Sequence, residues 1–179
     1  MRLLLPLLAL LMLGCSDKPS LQQYFVSRSE NPQFLALDLG PTNLNLDKQP
    51  LTDAQRTSLS HLKKVNILAY KKDKAGEAPY QLERRTVDSI LSDETFQDLI
   101  RFSSDGQGAS LKFTGDVQQV DEFILYGHDS RYGFALVRIL GDKLTPTDVV
   151  NLLDVMRSTD FPIQQLEPLQ NFLMTPKKK

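Results

Sequence analysis

Apolar residues recur along this chain in short runs whose spacing changes from segment to segment. In Phe34–Leu39, Leu35, Leu37 and Leu39 alternate with Phe34, Ala36 and Asp38, a period of two that predicts a strand. Gly40-Pro41-Thr42-Asn43 then breaks it. Thr52 and Gln55 have the spacing of a capping box, which predicts a helix running toward Lys64 with Leu59 and Leu62 on its apolar side. Residues 65–70 read as a second strand and 71–78 as a charged loop with Gly76. Two helical patches follow: Val87, Ile90 and Leu91, then Phe96, Leu99 and Ile100, with Ser92 or Asp93 capping the second. Residues 103–108 form a turn-rich loop.

Three further strands are expected. Leu111 and Phe113 alternate with Ser110, Lys112 and Thr114, while 120–126 and 132–140 flank Gly127-His128-Asp129-Ser130-Arg131, a hairpin-loop composition. Thr145-Pro146 starts a last helix, with Val149, Leu152, Leu153 and Met156 toward the sheet. A short helix over 21–25 precedes all of these. The order strand, helix, strand, helices, three strands, helix predicts one α+β domain over 21–158, with a mixed sheet of about five strands and helices mainly on one face. The first two strands are expected to be parallel, joined by a right-handed crossover, and the last three to form a meander, together a ferredoxin-like variant. Residues 159–179, ending in Lys177-Lys178-Lys179, read as a partly frayed C-terminal extension.

The first fifteen residues add a compartment. Arg2 precedes an apolar run of eleven residues, 3–13, too short for the about 20 needed to span a bilayer but suited to a signal peptide over 1–14. Met12-Leu13-Gly14-Cys15 resembles the bacterial lipobox, with Met12 where that motif prefers Leu. The resemblance implies cleavage between Gly14 and Cys15, a diacylglyceryl group on the Cys15 thiol, and an added acyl chain such as palmitate on the new amino group. One chain holds a protein reversibly and two or three hold it firmly. Residues 15–20 would then be the lipidated Cys and a polar tether. Ser16, where Asp marks retention at the inner membrane of enterobacteria, slightly favours the outer membrane.

Composition narrows the rest. The 179 residues are 41% hydrophobic and 24% charged with a net charge of −1, which argues against a disordered, collagenous or multi-span chain and against a dedicated nucleic-acid binder. Cys15 stands alone, so neither an internal disulfide nor a cysteine-rich zinc site is available. No cofactor motif is evident: Asp105-Gly106-Gln107-Gly108 lacks the trailing Gly-Lys-Ser/Thr of a phosphate loop and precedes a strand. His128-Asp129-Ser130 has the residue types of a hydrolase triad, but neighbours on a hairpin diverge, and a turn explains them better. His61 reads as a surface or boundary residue. It shares no helical ligand spacing with His128, Asp121, Glu122 or Asp129, so no metal site is expected. Asp38 is a candidate buried carboxylate on the first strand, equally explained by an edge position. The basic clusters at Lys63-Lys64, Lys71-Lys72, Arg84-Arg85 and the C-terminus read as solvated faces diluted by acidic neighbours.

Leu35-Ala36-Leu37-Asp38-Leu39, the strand over 65–70, Phe96-Gln97-Asp98-Leu99-Ile100 and Phe123-Ile124-Leu125-Tyr126 carry a wider likeness. So does Phe134-Ala135-Leu136-Val137-Arg138-Ile139-Leu140-Gly141, followed by Leu144-Thr145 and Asp148-Val149-Val150-Asn151-Leu152-Leu153. Together they resemble Gram-negative lipoproteins of domain-of-unknown-function family 4252. That resemblance implies an envelope lipoprotein and transfers no active residues. The expectation is a non-enzymatic binding or interaction domain outside the cytoplasm, joined to the membrane through acyl chains on Cys15, with an unidentified envelope protein as partner. The alternatives are an envelope hydrolase assembled near His128 and Asp129, or a carrier of a small molecule or lipid.

Overall fold

Capping explains where three of the helices begin. Ser20 Oγ accepts from the Gln23 amide at 3.2 Å while Gln23 Oε1 accepts from the Ser20 amide at 2.8 Å, which opens α1 (Leu21–Ser29). Thr52 and Gln55 repeat the device for α2 (Asp53–His61). The Thr145 amide and hydroxyl both donate to Asp148 Oδ2 at 2.8 Å, which opens α4 (Pro146–Arg157) with Pro in its first position. The remaining elements are β1 (Phe34–Leu39), β2 (Leu62–Lys71), α3 (Glu77–Leu91), β3 (Gln97–Ser104), β4 (Gln107–Asp116), β5 (Gln119–Asp129) and β6 (Gly133–Leu144). This computed structural model describes residues 19–44, 50–72 and 76–157. The expected signal peptide over 1–14, Cys15 and the extension over 159–179 lie outside the described residues.

The strands form one six-stranded sheet in the order β1-β2-β6-β5-β4-β3, and every neighbouring pair is antiparallel. An α+β fold is therefore present, but the mixed sheet of about five strands is corrected to six antiparallel ones. The parallel crossover between β1 and β2 does not form: Leu39 sits opposite Val65 and Phe34 opposite Tyr70, so the chain re-enters the sheet at the end where β1 left it and β2 runs back along β1. Instead α2 stops at His61, short of the expected end at Lys64, because Leu62 turns extended and buries its side chain.

The second helical patch is also corrected. Phe96 packs against the core and Leu99 and Ile100 belong to β3, so their helical spacing does not reflect a helix. Pairing with β4 decides the matter, aided by Asp105 and Gly106, whose positive φ values of 35° and 81° make the tight two-residue turn that hairpins favour. The last four strands are thus one long meander, and a ferredoxin-like arrangement is matched only roughly.

Helices cover both faces, not mainly one. On the first face α1 and α3 pack over Phe34, Leu68, Tyr70, Ile124, Tyr126, Phe134 and Leu136. Aromatic contacts fill the centre: the Phe34 and Tyr70 ring centroids are 5.0 Å apart and those of Tyr70 and Phe134 5.3 Å. On the second face α4, with Leu59 of α2, packs on Leu39, Ile67, Phe113, Phe123 and Ile139. The central strands are consequently apolar at successive positions, as in the Ile67-Leu68-Ala69-Tyr70 run, all four of which are buried.

Candidate functional site

Where α3 ends and the meander continues, the first face is left open. The cleft there holds about 290 Å³, between the last two turns of α3 and the strands β3, β4 and β5. Arg84 and Asp88, one turn apart on α3, form its helical wall. Tyr126 and His128, two residues apart on β5, share a side of the sheet and face it. The register sets Ser110 beside Tyr126 and Gly108 beside His128, and then Arg101 and Ser103 of β3 beside those two. Gly108 is needed by its neighbour, since a Cβ at that position would sit 2.4 Å from His128 Nε2.

Lys112 closes the floor. It is only 5% exposed, and its Nζ reaches Asp98 Oδ1 at 2.9 Å and the Phe96 carbonyl at 3.2 Å. Asp98 also accepts from Arg101 Nη2 at 2.8 Å. Burial acts to raise the Asp98 carboxyl pKa, but Lys112 and Arg101 outweigh it and hold the pKa below the ordinary value.

The other polar groups of the cleft are less well matched. Arg84 Nε and Asp88 Oδ2 are 3.6 Å apart, beyond hydrogen-bond reach. The Tyr126 hydroxyl, in a residue 6% exposed, has no hydrogen-bond partner among the described residues, and neither have Arg84 Nε, the hydroxyl of neighbouring Tyr80 or His128 Nδ1. Burial, with Asp88 nearby, raises the Tyr126 pKa and keeps the phenol protonated. Burial and the Arg84 charge lower the His128 pKa, against the opposing pull of Asp88, the Gly106 carbonyl and Asp129. Buried polar atoms left without partners are uncommon in native folds, and each calls for an explanation.

Residues 24–152 match the model of the family described as Domain of unknown function (DUF4252). The chain belongs to that family. The DUF4252 match runs from α1 into α4, so it takes in the whole sheet and every wall of the cleft. No curated protein and no solved structure matches the chain.

In this DUF4252 domain the residues singled out from sequence part company. His128 faces the cleft, whereas Asp129 is tied to Arg131, whose Nη2 lies 2.7 Å from Asp129 Oδ2. The side chains of Asp129 and His128 leave the strand on opposite sides. Ser130 lies beyond the strand, its amide bonded to the Gly106 carbonyl at 2.9 Å. His61 Nδ1 lies 3.3 Å from Asp148 Oδ2 and joins α2 to α4 on the second face. Glu122 binds Arg138, whose Nη2 lies 2.7 Å from its carboxylate. Asp38 is exposed on the edge strand and paired with Lys64 at 3.1 Å, so of its two readings the edge position is the one observed. Among the described residues no group of three or more His, Cys, Asp or Glu is placed to hold a metal, and no helix is long and apolar enough to cross a membrane.

Arg84, Asp88, Arg101, Lys112 and Tyr126 did not emerge from sequence as a site. Two signals were present: Arg84 and Asp88 at i and i+4, and Tyr126 with His128 at i and i+2. What joins the pairs is the packing of α3 on the sheet, which sequence spacing does not carry.

Proposed function

We propose that this DUF4252 chain is an envelope lipoprotein, held at a membrane by acyl chains on Cys15, whose folded domain binds a ligand and catalyses no reaction. The observation that carries the binding reading is the Tyr126 hydroxyl, buried without a partner in the wall of an open cleft. A polar ligand supplies what the protein leaves unmade, because a buried donor without an acceptor forfeits about 1–3 kcal/mol. The anchor reading rests on Met12-Leu13-Gly14-Cys15 at the end of the apolar run. It places the domain outside the cytoplasm, with the outer membrane favoured by Ser16. An acyl anchor also raises the effective concentration of the domain toward its neighbours, so modest affinity suffices.

Small-molecule carriage fits the same cleft and is the form of binding favoured here. A hydrolase using His128 with Asp129 has less in its favour, because their side chains diverge. Photo-crosslinking in cells tests the binding reading: a photoreactive residue replaces Ser103 at the cleft, and another replaces Asp53 on the opposite face. Adducts specific to position 103 are expected. Equal adducts from both positions, or none from either, overturn the reading.

A further inference from the structure

The cleft carries more positive than negative charge. Arg84, Arg101 and Lys112 line it against Asp88 alone, and counting Asp98, which ties Lys112 to Arg101, still leaves one positive charge over. His128 adds no charge at neutral pH, since burial and Arg84 lower its pKa. Within this cleft Arg84 is the cation with the loosest acid partner, its ion pair with Asp88 spanning 3.6 Å, while Lys112 and Arg101 each meet Asp98 within 3 Å. Arg84 Nε is buried and makes no hydrogen bond among the described residues, although the rest of the side chain reaches solvent. The Tyr126 hydroxyl is a second donor, near the Asp88 carboxylate but making no hydrogen bond of normal geometry among the described residues, on the strand wall of the same cleft.

We infer that the cleft binds the oxyanion head of a small ligand, a carboxylate or a phosphate, with Arg84 as its ion partner and the Tyr126 hydroxyl as a second donor. This deepens the binding reading above and rests on it. A planar guanidinium whose Nε–H makes no hydrogen bond matches either oxyanion, and such charge-assisted bonds are about twice as strong as neutral ones. The volume of about 290 Å³ limits the ligand to a small molecule or to one end of a larger one. Asp88 opposes the anion electrostatically and so weakens binding. The opposition also gives the inference a signature. A zwitterion or an amine would need Asp88, whereas an oxyanion binds better without its charge.

The test titrates the full-length protein, isotopically labelled, with inorganic phosphate and separately with acetate at constant ionic strength. The readout is the nuclear magnetic resonance signals of the Tyr126 ring, the His128 ring and the β5 amides. Saturable shifts confined to the cleft are expected with one probe or both, and the probe that saturates at lower concentration identifies the head group. Arg84→Gln is expected to weaken binding about tenfold or more. Tyr126→Phe is expected to weaken it about threefold. Asp88→Asn is expected to tighten it about threefold or more. Shifts that stay linear for both probes, or that are unchanged in Arg84→Gln, overturn the inference. So does weaker binding in Asp88→Asn, a variant that retains the helix and serves if Arg84→Gln fails to fold. If position-103 crosslinks persist while neither probe saturates, the oxyanion assignment alone falls; if the crosslinks fail as well, the binding reading falls with it.

Discussion

Gly108 shows how a missing side chain shapes the cleft. Its bare backbone lets the His128 ring lean across β4 beside Tyr126, where the charges of Arg84, Asp88 and Asp129 and the Gly106 carbonyl all act on it. The net result is a lowered pKa, with burial the largest cause. A histidine with a depressed pKa in the folded state takes up its proton more readily when unfolded. Its contribution to stability is therefore fully present above about pH 6.5 and is lost as pH falls through the lower folded value. Urea midpoints measured at pH 7.5 and pH 5.5 should fall more in the wild type than in His128→Gln. An equal fall would remove His128 as the cause. Arg138 gives a second residue-scale expectation. Its side chain is buried, pairs with Glu122 at 2.7 Å, bonds Gln22 of α1, and sits 5.4 Å from the Phe25 ring centroid. Glu122→Gln leaves that buried guanidinium with an amide oxygen in place of a carboxylate charge and should cost about 3 kcal/mol, read as a lowered unfolding free energy.

At the scale of elements, β3 is the exposed edge of the sheet, paired on one side with β4. All eight of its residues are exposed, including Ile100 at 62% and Phe102 at 58%. An apolar edge of this kind invites pairing with another strand. Phe102→Lys should change the unfolding midpoint little while lowering concentration-dependent association, measured by light scattering. Undiminished association would mean that the edge is not the adhesive surface. The same strand marks the limit of what the sequence made legible. β1, α2 and α4 follow from alternation and caps that act within a few residues. Leu99 and Ile100 had the spacing of a helix, and only the long-range pairing with β4 overrode it. The cleft was hidden for the same reason, because Arg84 and Tyr126 meet through tertiary placement, although His128 itself stood out.

For the whole molecule, two helix layers enclose a sheet whose two edges are β1 and β3. Helices on both faces are not legible in the sequence because the buried runs of β2, β5 and β6 are short, and alternation cannot assign a run of consecutive apolar residues to one side. Among the described residues, α1 is capped by Ser20 and docked on α3 through Tyr24, whose hydroxyl donates to Glu83 at 2.9 Å. Cys15→Ser should therefore leave thermal stability unchanged while moving the protein from the membrane to the soluble fraction and abolishing incorporation of labelled palmitate. Unaltered partitioning and labelling would overturn the anchor reading.

The cleft walls differ in how firmly they are held. β5 has a neighbour on each side, whereas the outer wall, β3, is secured by one partner and a two-residue turn at Asp105-Gly106. Amide protons along β3 should exchange with solvent faster than those of β5, because fraying of a terminal strand costs less than opening a central one. The width of the aperture then fluctuates with that fraying. A guest too bulky for the resting gap would be admitted at the tempo of β3 detachment, and tightening the turn would slow both capture and escape.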